Sequence, residues 1–146
     1  MRALAVYLLA GQHLPLARTG GLLAELVGAP VSDGSLAGWY ADAAAGLDGF
    51  DAALREGLAG APVLGADETG IRVEGSLAWV HAARTDTPLK IRLKIAGCLR
   101  TMTGAEAFCR LRSYLSTARK QGQSAFAVLR TLHDGHPWMP ATAGST

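Results

Sequence analysis

Residues 62–83, PVLGADETGIRVEGSLAWVHAA, constrain this chain most, because they form the one long stretch patterned as paired strands in a sequence that otherwise reads as helix. Val63 and Leu64 make a short apolar run that meets Asp67 and Glu68, and Thr69-Gly70 is expected to turn the chain into residues 71–74. Gly75-Ser76 then supplies a two-residue loop of the type II′ kind, and residues 77–82 return as a second strand around Trp79. The predicted product is a hairpin with a carboxylate pair at the end of a buried strand. An acid held there is rigid enough to serve as a metal ligand, and it is also what many ordinary, solvated strand ends look like.

The flanking sequence supplies helices. Residues 2–10 are almost wholly apolar and must bury several faces. Pro15 fits the first position of a second helix, in which Leu16, Leu22, Leu23, Leu26 and Val27 keep helical spacing until Gly28 stops it. Ser32 is expected to cap a longer helix with Leu36, Trp39, Tyr40, Ala43, Leu47, Phe50, Leu54 and Leu58 on one side, where Gly46 and Gly49 are the places to bend or break. Residues 89–95 alternate apolar positions with Lys90, Arg92 and Lys94, which suits a strand with one basic face. Thr103 to Glu106 reads as a capping box, followed by a helix that buries Phe108, Leu111, Leu115 and Ala118 and ends at Gly122. Arg112, Ser116, Arg119 and Lys120 share its other face, so their cations are expected to project together. Ser124 caps a last helix with Ala125, Val128, Leu129 and Leu132 on its apolar stripe, and the tail after Trp138 is expected to be mobile.

With 146 residues, 49% of them hydrophobic and 18% charged, the chain can build one ordinary core. Its apolar runs are too short to cross a bilayer, so no membrane partner is expected. Residues 1–10 read as the start of a soluble helix, and Cys98 and Cys109 have no zinc-ligand spacing and suit a reducing, cytoplasmic setting. The four histidines give no metal site, with His133 and His136 reading as an ordinary helix end. Ser113, Ser116 and Thr117 have no base in reach for nucleophilic catalysis. The net charge of +2 conceals an asymmetry: residues 1–83 hold four Lys/Arg against nine Asp/Glu, whereas residues 84–146 hold ten against three. If anything in the chain touches phosphate it is the C-terminal half, where Lys90, Arg92, Lys94, Arg112, Arg119 and Lys120 are the candidate DNA-binding residues, against the plainer reading that these cations only solvate helices. A helix-turn-helix reading of the second and third helices is disfavoured, because Asp33, Asp42, Asp48 and Asp51 precede the first cation of the would-be recognition helix, Arg55.

Three blocks carry a resemblance. The segment 66–70, ADETG, followed by the hairpin with Trp79, resembles the first acidic motif of the DDE transposases of the insertion-sequence sixty-six family. Residues 94–101, KIAGCLRT, through 113–122, SYLSTARKQG, resemble that family's C-terminal region, and residues 2–8 with Gln12-His13-Leu14-Pro15 resemble the segment ahead of its catalytic domain. The order of the blocks is the family's, and they cover nearly the whole chain. The resemblance implies a fold similar to ribonuclease H, in which three distant carboxylates hold two Mg²⁺ ions that activate water and then a DNA 3′-hydroxyl. Asp67 would be the first of these carboxylates, both metal ligand and catalytic. It also implies a helix end where residues 89–95 alternate.

The sequence departs from that pattern in its middle. No second Asp stands in a comparable setting, and no Glu occurs between Glu74 and Glu106. The expectation is a mostly α protein with a small β-hairpin (α+β), the remnant of a ribonuclease H-like catalytic domain. Residues 1–60 would be the helical segment before that domain, 61–88 its first strand and hairpin, 89–138 the basic helical region, and 139–146 a flexible tail. Asp67 would be vestigial and the protein an inactive transposase relative that holds no Mg²⁺ productively. The alternative is a non-enzymatic helical protein that binds DNA or the full-length transposase.

Overall fold

The computed structural model describes residues 1–73, 76–85, 90–93 and 102–141. Among them the chain runs α1 (Arg2–Val6), which continues as a π-helical segment (Tyr7–Gly11), then α2 (Leu16–Val27), α3 (Asp33–Ala45) and α4 (Asp48–Ala59). A sheet of β1 (Gly65–Val73), β2 (Ser76–Arg84) and β3 (Lys90–Leu93) follows, and α5 (Met102–Lys120) and α6 (Ala125–His133) complete it. The protein is thus mostly helical, with an antiparallel hairpin extended by one short strand.

The helix boundaries follow from local chemistry. At Gly28 the backbone is left-handed (φ 66°), a conformation glycine adopts without a Cβ penalty, and its N–H bonds the Ala24 carbonyl at 3.1 Å. Ser32 caps α3 by accepting from Ser35 N at 3.2 Å, and Ser124 caps α6 by accepting from Ala127 N at 3.4 Å. α5 stops where Gly122 turns left-handed (φ 75°) and Gln123 N reaches back to the Ala118 carbonyl at 2.8 Å. The long helix expected from Ser32 is two helices, broken at Gly46-Leu47, with Leu47 fully buried at the bend. Thr103 is no cap: α5 already includes Met102, so the capping-box reading is corrected.

Helices from both ends of the chain share one core. Val6, Ala43, Leu47, Phe50, Leu54, Leu111, Tyr114, Leu115, Ala118, Val128 and Leu129 meet in it. A smaller cluster of Ala5, Leu9, Leu23 and Leu36 seats α2 against α1 and α3, but Leu26 and Val27 of the expected α2 stripe stay exposed. Tyr114 ties the last segment to this core, since its hydroxyl donates to the Val128 carbonyl at 3.0 Å and accepts from Trp138 N at 2.9 Å. Gln121 then holds Ala141 from both sides, accepting from its N–H at 2.9 Å and donating to its carbonyl at 3.2 Å. Residues 139–141 are therefore docked where a mobile tail was expected; Pro140 is buried. The rest of the tail lies outside the described residues.

His133, on the last turn of α6, gives the fold a pH dependence. Its Nε2 is buried and has no hydrogen-bond partner among the described residues. Burial first, and then the Arg2 guanidinium and the N-terminus, hold its pKa below the ordinary value against the opposite pull of Asp134 and Asp42. The unfolded chain takes up this proton near pH 6.5, whereas the folded chain resists it to lower pH. The stability His133 contributes is thus present above that pH and lost as pH falls toward the folded pKa. We expect the melting temperature to drop between pH 7.5 and 5.5, and the drop to shrink in His133→Gln.

Candidate functional site

The hairpin is offset from its sequence reading. β1 runs straight through Thr69-Gly70, which lie opposite Val80 and Trp79, so no turn occurs there. Val73 pairs with Ser76, so Ser76 belongs to β2 and not to the expected loop; positions 74 and 75 lie outside the described residues. Residues 90–93 form a strand antiparallel to β2, with Leu93 opposite His81, so this part of the alternating basic segment is strand and not a helix end; residues 89, 94 and 95 lie outside the described residues.

Asp67 is the third residue of β1, opposite Ala82, and it is exposed. The strand follows the acid instead of leading to it, and Val63 and Leu64 ahead of it are 60% and 51% exposed, so no buried strand delivers this carboxylate. Glu68 stands opposite His81, whose Nδ1 lies 3.3 Å from Glu68 Oε2 on the surface. Successive strand residues project to opposite faces, so Asp67 and Glu68 cannot close on one ion together. Mg²⁺ demands near-octahedral oxygen coordination and gives up its water reluctantly, a requirement that one exposed carboxylate does not meet. Among the described residues no group of three His, Cys, Asp or Glu side chains is placed to hold a metal ion.

The candidate DNA contacts separate. Arg119 and Lys120 are exposed at the C-terminal end of α5. Arg112 does not project with them: it is half-buried, and its guanidinium donates to the Ala10 carbonyl at 3.3 Å, closing α5 onto the end of the π-helical segment. A shared face fixed only by helical spacing gave no hint of this, because the acceptor is 102 residues away. Lys90 and Arg92 lie on β3, and Lys94 falls outside the described residues.

One charged cluster was missed in the sequence. Arg110 Nε donates to Asp51 Oδ2 at 2.6 Å and its terminal nitrogen to Asp48 Oδ1 at 2.5 Å. Both acids occupy the first turn of α4, where the helix dipole favours negative charge, and that placement was the available signal. The pair consumes a cation of the basic half against acids of the acidic half. No described helix is long and apolar enough to cross a membrane.

Residues 1–104 match the sequence model of a family described as the Transposase IS66 family. The match spans every element from α1 to β3 and enters α5, so the block at residues 113–122 lies beyond it. No curated protein and no solved structure matches the chain.

Proposed function

The chain belongs to the Transposase IS66 family, and from that premise we propose that it is a transposase-derived protein, the remnant of a ribonuclease H-like catalytic domain, that no longer performs strand transfer. The observation that carries this reading is the acid count. Asp67 occupies the first acidic motif, but the sequence between Glu74 and Glu106 offers no Glu and a single Asp, Asp86, in the segment Arg84-Thr85-Asp86-Thr87-Pro88. In-line attack on a phosphodiester by a two-metal route needs carboxylates from several places to clamp both ions and both oxygens. A single acid on an open strand binds neither ion against its hydration.

The direct test is a cleavage and joining assay on DNA carrying the ends of a related element, with Mg²⁺ or Mn²⁺. The expected result is no joined product above the protein-free control. Turnover that Asp67→Ala abolishes would overturn the proposal.

A further inference from the structure

The sheet has an open side. Its strand order is β1-β2-β3, and among the described residues no strand lies on the outer side of β1. This edge is nine residues long and carries no Pro and no Lys; its charges are Asp67, Glu68 and Arg72. Beside it lie Val63, Leu64 and Trp79, which are 60%, 51% and 46% exposed. A row of unpaired backbone donors and acceptors flanked by apolar surface is a template for another strand.

We propose that β1 pairs antiparallel with β1 of a second copy of this chain, joining the two sheets into one. A two-fold axis perpendicular to a sheet keeps each face on its own side, so only registers that oppose residues of the same face are allowed. The register centred on Gly70 sets Glu68 opposite Arg72 of the second copy, and Arg72 opposite Glu68, so that one axis creates two opposite-charge pairs. Sliding by two residues in either direction loses both. The sequence 68–72, ETGIR, is thus complementary to itself read backwards, which is what singles out a second copy as the occupant.

Trp79 supports the same register. It stands opposite Gly70 within the hairpin, so the row across the joined sheets reads Trp79, Gly70, then Gly70 and Trp79 of the second copy. Two glycines leave an open lane between two exposed indoles, and the rings can lie over it and cover apolar surface that each copy alone leaves in water. Glu68 is free to make the new pair, because its present partner His81 is a surface contact with both side chains more than half exposed.

The test is sedimentation equilibrium on the full chain over a concentration series. The expected result is a reversible dimer that Glu68→Arg and Arg72→Glu each weaken roughly tenfold or more, since each sets like charges opposite at two places. An equimolar mixture of the two variants should regain the parent's association, because every altered charge then meets its opposite. Circular dichroism checks that each variant keeps the parent's fold, and Trp79→Ala should weaken association as well. A chain that stays monomeric through about 0.1 mM, a dimer indifferent to both charge changes, or a mixture no tighter than its components would overturn the proposal.

Discussion

Phe50→Ala is expected to remove about 3–5 kcal/mol of folding stability, which for a chain of this size lowers the melting temperature by roughly 10 °C. The side chain is fully buried, and its ring meets the edge of Tyr114 at 4.9 Å with the planes at 90° and Trp138 at 6.4 Å. Truncation loses the transfer free energy of the ring and leaves a cavity walled by two aromatics that are themselves fixed: Tyr114 by its bonds to Val128 and Trp138, and Trp138 by the docked terminus. The surroundings can therefore collapse little. Urea denaturation checks the value, and a midpoint shift worth less than about 1 kcal/mol would show that α4 and the C-terminal segment do not share this core.

The position of that core bears on how such a chain holds together. It draws on α1, α3 and α4 before the sheet and on α5 and α6 after it, and among the hairpin's described side chains Ala83 packs at its margin. If a transposase catalytic domain lost its middle, the helices on either side would still have each other to bury against. The sheet would be left with an open edge, as its exposed Trp79 and the outer side of β1, where no described strand lies, illustrate.

What was readable in the sequence was what local chemistry decides. Ser32 and Ser124 as caps, Gly28 and Gly122 as stops, and the faces of α5 and α6 all depend on neighbours within one or two turns. The hairpin was readable as a hairpin, but its turns were not: Thr69-Gly70 and Gly75-Ser76 are both acceptable turn dipeptides, and only pairing with β2 shows that the first runs on within β1 and that Ser76 is already a strand residue. Arg112 on Ala10, Tyr114 on Trp138 and Gln121 on Ala141 are contacts across 102, 24 and 20 residues, and they set which cations project and which tail residues dock. For the site, the family and the candidate Asp67 could be read from the ordered motifs; its exposure and its place near the start of β1 could not.

The second large effect is expected at Arg110. Arg110→Met should cost about 1.5–3 kcal/mol, the range for hydrogen bonds to charged groups, and nearly all of it should come through Asp51. That carboxylate is only 18% exposed, whereas Asp48 is 88% exposed and water can replace its partner. Burial already pushes the Asp51 carboxyl above its ordinary pKa against the pull of the guanidinium, while Arg110, which burial pulls down, is held above its own by the two carboxylates. With the cation gone, burial acts on Asp51 against the pull of Arg55 alone and raises it further. A carboxyl raised in the folded state contributes stability that is present below its unfolded pKa and is lost as pH rises through the folded one. Arg110→Met should therefore recover stability relative to the parent as the buffer is taken from pH 7 toward 4.5. The double change with Asp51→Asn should cost less than Arg110→Met alone, because no buried charge is then left without a partner. Urea midpoints at the two pH values measure all of this, and a penalty in Arg110→Met that is the same at both would show that Asp51 keeps its charge by some other contact.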